Sequence, residues 1–354
     1  MLDKIRIGII GMGRMGITHY SIINSRSDIE IVAVADTSQI VLSMMKKYIK
    51  GIEVYKDYKE LIKSGLVDAL LICTPPNLNI EILNMALSYK LHAFVEKPYA
   101  LDLVGGLEIS ASYEKAGLVN QVGYVNRFND VFQTTRDYIA QGLIGEVYRF
   151  RSEMFSCTIS QPDDGSGWRG SRISGGGALY EMGAHAIDLI SFLIGKPTGI
   201  SGSALDKVYS RNVEDVVSST FHYNQNMTGT LFVNWRDHSY RKPTNKMEII
   251  GMKGKLLADQ HSLKIFMNEA NDDFGFRKGW NTKYITDIFK PVPFYVRGNE
   301  FTRQLYHFVD CIVNNKPQDT VCKFLDGNNT LEVIDMIYND AQGKEPNSSP
   351  IKKI

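Results

Sequence analysis

The 354-residue sequence has little of what marks several common protein classes. It contains four cysteines, Cys73, Cys157, Cys311 and Cys322, far apart and with no CxxC pair. That excludes a dense disulfide framework and a cysteine-based metal centre, and predicts reduced thiols serving as small core residues. No apolar run reaches the ~18 residues of a membrane span. The opening "MLDKIRIGII" passes into a strand pattern too early for a signal peptide, so a soluble, cytoplasmic chain without a membrane partner is expected. Charge of neither sign dominates, with 40 Lys plus Arg against 39 Asp plus Glu. A balance this close gives no overall field for nucleic acid, and none is expected as a partner. Repeats and low-complexity tracts are missing too.

What is present divides into two patterns. A chain of this length exceeds what one hydrophobic core usually organises, which predicts two domains. The first third alternates short β-branched runs, "IRIGII", "EIVAVAD", "DALLIC", "HAFVE" and "VNQVGYV", with helix-period stretches such as "LNIEILNMALSYK". Near-continuously apolar strands separated by helices mean an α/β unit with a parallel sheet covered on both faces. After about residue 125 a helix over roughly 128–141 precedes longer strands, "EVYRFRSEM", "DVVSSTFHY" and "TGTLFVNW". The last two flank the polar turn "NQNM", which predicts an antiparallel hairpin. Helical periodicity returns over 301–315 and 330–341, ahead of a polar tail. The second domain therefore reads as α+β with a mixed or antiparallel sheet.

The stretch "IRIGIIGMGRMG" sets Gly11, Gly13 and Gly16 in G-x-G-x-x-G spacing between a strand and a helix. The first glycine permits a tight turn, the second lets backbone approach a pyrophosphate, and the third allows close helix packing. Helix N-terminal N–H groups then meet the phosphates, which makes Met12, Arg14 and Met15 cofactor candidates along with the glycines. Asp36 ends the second strand, where a carboxylate accepts from a ribose 2′-OH and repels a 2′-phosphate. NAD is therefore favoured over NADP.

Ligands of an open parallel sheet gather beyond the carboxyl ends of its strands. "CTPPN" and "EKP" lie at such ends. Thr74, Pro75 and Asn77 are candidates to lie against the nicotinamide ribose, with a plain loop stopper as the alternative. Lys97 follows a buried strand and would project toward the cofactor, with Pro98 fixing the backbone behind it. Side chains alternate along a strand, so Glu96 is not assumed to pair with Lys97; it contacts the cofactor ribose or closes a turn.

Farther on, "GGGALYEMGAHAIDLI" places Glu181, His185 and Asp188 at i, i+4 and i+7, one stripe of an α-helix. Apolar residues occupy the opposite side. A solvated surface is the plain reading of such a stripe, but a histidine between two carboxylates after a glycine-rich turn suits proton transfer near neutrality. No HExxH or cysteine cluster completes a metal set, and no catalytic metal is expected.

Taken together, "GIIGMGRMG", "VADTS", "ICTPPNLN", "FVEKP", "VGYVNRF", "GWRGSRISGGGALYEMGAHAIDLI", "IIGMKGKL" and "DGNNTLEVIDMIYNDA" resemble, in order, the Gfo/Idh/MocA family of nicotinamide-dependent oxidoreductases. The resemblance implies a Rossmann doubly wound parallel sheet over residues 1–123. Over 124–354 it implies a substrate-binding and oligomerisation domain with a large open mixed sheet, a site between the domains, and a homodimer or homotetramer. It makes Lys97 the lysine of the family's EKP signature and His185 the histidine of its G-G-x-x-x-D-x-x-x-H pattern. The family's aspartate is Glu181 here, and a frequent histidine is Asn79. The implied activity is NAD-dependent oxidation of a secondary hydroxyl on a sugar, cyclic polyol or sugar nucleotide. In that reaction His185 is the base, Lys97 stabilises the alkoxide, and Glu181 or Asp188 holds the histidine or a neighbouring hydroxyl. Asn126, Arg127, Trp168 and Arg169 are substrate-side candidates for which structural roles stay open. A keto-sugar reductase, an NAD-dependent glycoside hydrolase and a nicotinamide-sensing regulatory protein are the alternatives.

Overall fold

A computed structural model describes residues 4–159 and 167–343, and the polar tail from residue 344 lies outside them. The chain forms two compact units, Met1–Asn129 with Lys290–Asn328, and Asp130–Phe289 with Asn329–Ile354.

Unit 1 is built on six strands, β1 (Ile5–Ile10), β2 (Ile29–Ala35), β3 (Glu53–Tyr55), β4 (Ala69–Ile72), β5 (His92–Val95) and β6 (Asn120–Val122). They lie in the order β3-β2-β1-β4-β5-β6 and every pairing is parallel. Each crossover between neighbouring strands of the sequence runs through helix, as parallel pairing demands. Strand order reverses between β1 and β4, so the carboxyl ends of these two strands flank the switch point where such sheets bind ligands. All four residues of β4 are fully buried, which is why its sequence is apolar without alternation.

Residues 290–328 return to this unit, so its extent differs from a single boundary after residue 123. The helix Asn299–Val313 explains the return. Its Leu305, Phe308 and Val309 join the same core as Ile7, Ile22, Val34 and Phe94, and the Phe94 and Phe308 rings meet edge-on at 6.0 Å. Burying each such side chain contributes about 1.5–3 kcal/mol, enough to hold a sequence-distant helix in place. The helix Phe324–Ala341 starts earlier than the periodicity from residue 330 suggests, because Phe324 stacks on Tyr99 at 5.0 Å.

Unit 2 carries eight strands, β7 (Val147–Phe155), β8 (Gly199–Asp206), β9 (Val216–His222), β10 (Thr228–Asn234), β11 (Thr244–Gly251), β12 (Gly254–Asp259), β13 (Ser262–Met267) and β14 (Gly279–Tyr284). Their order is β14-β13-β12-β11-β7-β10-β9-β8. β9 and β10 form the expected antiparallel hairpin, and β7 with β10 is the parallel pair that makes the sheet mixed. Alternation along β9, β10 and β11 sends Val217, Phe221, Leu231, Val233, Met247 and Ile249 to the buried face. All four cysteines are free thiols; Cys311 and Cys322 are buried, Cys73 is half-buried, and Cys157, against its reading as a core residue, is exposed.

Candidate cofactor and catalytic sites

The glycine turn follows β1. Gly11 has φ +89°, and a Cβ there would stand 2.7 Å from the Cys73 carbonyl oxygen after β4, so both its conformation and its neighbour require glycine. A Cβ on Gly16 would overlap the Gly11 carbonyl oxygen at 2.0 Å, which accounts for the third glycine as a packing contact. Gly13 is different. Its φ is −71° and an added Cβ would meet nothing within 4 Å. Neither its backbone nor packing among the described residues asks for glycine at 13, which leaves close approach of an outside group as its physical use. The helix Arg14–Ile23 begins there with no side-chain cap and no acidic residue in its first turn. Its first N–H groups and its dipole suit a phosphate, so the residues fit a dinucleotide.

Asp36, half-buried at the end of β2, accepts from the Met12 N–H at 2.6 Å and the Ser38 N–H at 2.7 Å, one on each oxygen. It therefore joins the glycine turn to the β2 turn. An ionised carboxylate has about four acceptor positions, so these two bonds leave capacity for a ribose hydroxyl.

Beyond β4, Thr74 donates to Asn79 Oδ1 at 2.8 Å, and the buried Asn79 reaches the Pro98 carbonyl at 3.4 Å. The residue in the place of the family's histidine thus links the "TPPN" turn to the "EKP" turn. Pro75 and Asn77 are exposed, and a 3₁₀ turn, Pro76–Leu78, follows. Lys97 and Glu96 are half-buried after β5, and the Lys97–Pro98 peptide is cis. Burial, with the Glu96 charge adding to it, pushes the Cys73 thiol up from its ordinary range, so this cysteine is not an activated nucleophile. Glu96 itself is met by His19 of the helix Arg14–Ile23, Nε2 to Oε1 at 2.6 Å.

In unit 2 the polar stripe departs from regular geometry. Leu179–Gly183 is π-helical and the α-helix proper is Ala184–Leu193, so the 3.6-residue spacing applied across residues 176–190 does not hold through its first turn. Glu181 and His185 are half-buried, while Asp188 is fully buried, contrary to its place on one polar side. Arg169 grips Glu181 side-on, with Nε at 2.9 Å and Nη2 at 3.0 Å from its oxygens.

Beneath this turn lies Glu214, which sequence reasoning passed over. Its Oε1 accepts from the Leu179 N–H at 3.0 Å and the Tyr338 hydroxyl at 2.9 Å. Burial holds its carboxyl above the usual range, opposed by those bonds and by the Arg172 charge. The acidic pair in "VEDVV", directly before β9 and next to its paired valines, is the signal that could have marked it.

Arg127 is buried in unit 1, where Nη1 lies 3.1 Å from Asp326 Oδ1 and 3.2 Å from the Val321 carbonyl. Asn126 is also buried, and the Trp168 side chain lies outside the described residues. Among the described residues no cluster of three or more His, Cys, Asp and Glu side chains could hold a metal ion, and no helix is long and apolar enough to cross a membrane.

Residues 5–124 match the family model described as an oxidoreductase family with an NAD-binding Rossmann fold. Fold, glycine turn and match together define an NAD-binding oxidoreductase. Residues 132–257 match the C-terminal domain of the same group, and the chain belongs to the Gfo/Idh/MocA family. It is similar to the rhizopine catabolism protein MocA of Rhizobium meliloti, 31% identical over 195 residues, which are 55% of this chain and 59% of the relative. It is also similar to myo-inositol 2-dehydrogenase of Thermotoga maritima, 26% identical over 281 residues, 77% of this chain and 80% of the relative. Among solved structures, levoglucosan dehydrogenase in complex with NADH and levoglucosan shares the fold with a TM-score of 0.84 at 19% identity, over 96% of this chain and 98% of that one.

Proposed function

We propose that the protein is an NAD-dependent dehydrogenase that oxidises a secondary hydroxyl of a sugar, cyclic polyol or sugar nucleotide. The observation that carries this reading is that both proton-handling positions of the family pattern are filled, Lys97 after β5 and His185 on the helix Ala184–Leu193. The names of the relatives, which act on myo-inositol or bind levoglucosan, support the substrate class. Asp36 supports NAD over NADP, since its carboxylate ends β2 where a 2′-phosphate would meet like charge.

Bound nicotinamide supplies the hydride acceptor. The chain supplies the rest. Lys97 donates a hydrogen bond to the reacting oxygen and stabilises its developing negative charge. His185 takes the hydroxyl proton as general base. Glu181, fixed by Arg169, binds a neighbouring hydroxyl, and the buried Asp188 supports the helix that carries His185. Association as a homodimer or homotetramer belongs to the same reading, supported by aromatics on the sheet of unit 2, the half-buried Phe155, Phe232 and Phe266 and the exposed Trp280.

The test is turnover of a panel of polyols, free sugars and UDP-sugars with NAD⁺, followed by NADH absorbance. Net NADH formation with at least one member is expected. Tight NAD binding with no turnover of any member would overturn the reading in favour of a nicotinamide-sensing protein.

A further inference from the structure

We propose that His19 is a positioning residue for the cofactor site, holding the Glu96 carboxylate by one oxygen so that the other is aimed for a cofactor hydroxyl beside Lys97. The proposal rests on the reading that the carboxyl end of β5 serves the nicotinamide half of NAD. Its test uses cofactor affinity, which requires no sugar substrate.

The imidazole of His19 is fully buried and stands edge-on to Phe94 at 5.2 Å. Its Nδ1 is buried with no hydrogen-bond partner among the described residues, whereas Nε2 lies 2.6 Å from Glu96 Oε1. A proton on Nδ1 would be a buried donor with nothing to receive it, a costly arrangement. The ring proton therefore belongs on Nε2, which donates to the carboxylate. Among the described residues one hydrogen bond serves this ring, and its partner is a charged group at the ligand edge. A lysine or arginine in the same sealed place would carry further donors with no acceptors, so imidazole suits a single directed bond.

A second residue is shaped around the same carboxylate. Gly123 follows β6, and its N–H donates to the Val95 carbonyl at 2.8 Å. A Cβ there would stand 3.1 Å from Glu96 Oε2 and 3.2 Å from Cδ. Gly123 does not have the positive φ that would itself favour glycine. The carboxylate is thus confined between an imidazole on one side and a bare Cα on the other, although the Glu96 side chain keeps 14% of its surface accessible. Confinement with residual access marks a group held for use.

The link has a further consequence because of where His19 sits. It belongs to the helix Arg14–Ile23, whose first residues form the phosphate turn, and it reaches the strand end that carries Lys97. One partly buried hydrogen bond therefore ties the pyrophosphate-binding element to the nicotinamide-binding one. Charge-assisted bonds of this length are among the stronger ones available to a protein.

The experiment is NADH titration by fluorescence, with thermal melting in parallel, on the full chain and on His19→Leu, His19→Gln, Gly123→Ala and Glu96→Ala. His19→Leu is expected to weaken NADH binding about tenfold or more, the worth of one bond to a charged group. His19→Gln, whose amide can place a donor near Nε2, should stay within about threefold of the parent. Gly123→Ala, which displaces the carboxylate without removing charge, should weaken binding in the same direction. Combining His19→Leu with Glu96→Ala should lose little beyond Glu96→Ala alone. Parental affinity in either His19→Leu or Gly123→Ala would overturn the proposal, as would losses at 19 and 96 that simply multiply. Should His19→Leu fail to fold, His19→Gln and Gly123→Ala decide the matter, since weakened binding in the first or parental binding in the second contradicts the proposal. Loss of sugar turnover with intact NADH affinity would bear on the proposed reaction alone.

Discussion

The space where Gly177 would carry a side chain is taken by Glu214: a Cβ at 177 would lie 2.4 Å from Glu214 Oε1. Gly177 also has φ +106°, outside the range of ordinary L-residues. The same oxygen accepts from Leu179 and Tyr338, so this buried carboxylate anchors the glycine-rich turn to the π-helical turn that bears Glu181. Gly177→Ala should therefore cost about 2 kcal/mol or more, from backbone strain and displacement of the carboxylate together. Denaturant unfolding checks this, and an unchanged midpoint would show that the turn adapts freely.

Glu214 also sets a direction for pH dependence. Its folded carboxyl is raised above the usual 4.5, chiefly by burial. A group raised on folding contributes stability below its unfolded pKa and loses that contribution as pH rises through the folded value. Carboxylates such as Asp237, held low by hydrogen bonds from Ser239, act in the opposite sense, so the parent alone does not isolate the effect. The melting difference between parent and Glu214→Gln should therefore move in favour of the variant from pH 4 toward pH 8. A difference that is flat or moves the other way contradicts the assigned burial cost.

At Asp36, cofactor choice and fold integrity are joined in one side chain. Asp36→Ala should raise the NADP to NAD ratio of kcat/KM by about tenfold or more, because like charge no longer meets the 2′-phosphate. It should also lower stability by about 2 kcal/mol through loss of the acceptors for Met12 and Ser38. Asp36→Asn keeps one acceptor oxygen and should show the smaller stability loss. Unchanged discrimination in both variants would remove Asp36 from the ribose.

These residues show what was legible in the sequence and what was not. The glycine turn, Asp36 and the strand end before Lys97 stand out because each is local: an apolar strand, then the residue types that a ligand edge requires. The return of residues 290–328 was not legible, since the apolar side of the helix Asn299–Val313 states that it is buried and not against which sheet. Asp188 reads as part of one polar stripe with Glu181 and His185, although it is fully buried, because polar residues at helical spacing look alike whether they face water or core. Arg169 was noted only as a substrate-side candidate, and its grip on Glu181 depends on a fold-back that no periodicity encodes. His19 lay unremarked within an amphipathic helix, its significance residing wholly in Glu96, 77 residues away.

The bidentate clamp on Glu181 yields a further expectation. A shorter carboxylate at 181 cannot keep both Arg169 contacts without moving the guanidinium. Glu181→Asp should thus raise KM for the sugar or polyol by several-fold while leaving NADH affinity at the parental value. A change confined to NADH affinity would place Glu181 outside the substrate site.

Lys97 and His185 have different tasks in the proposed reaction, and their variants should separate them. Lys97→Ala removes a charge that stabilises the reacting oxygen only as it becomes negative, so kcat should fall by about two orders of magnitude or more while NADH binding is largely retained. Lys97→Arg keeps the charge but spreads it over a planar fork, and should recover little. His185→Gln keeps a polar side chain but cannot carry the proton away. Its kcat should fall by a comparable factor yet rise with pH, as solvent hydroxide takes over the removal of the hydroxyl proton. The readouts are kcat, NADH dissociation constant and the pH profile on whichever panel substrate gives NADH. Parental turnover in Lys97→Ala would remove that lysine from the mechanism, and a parental pH profile in His185→Gln would reassign the base.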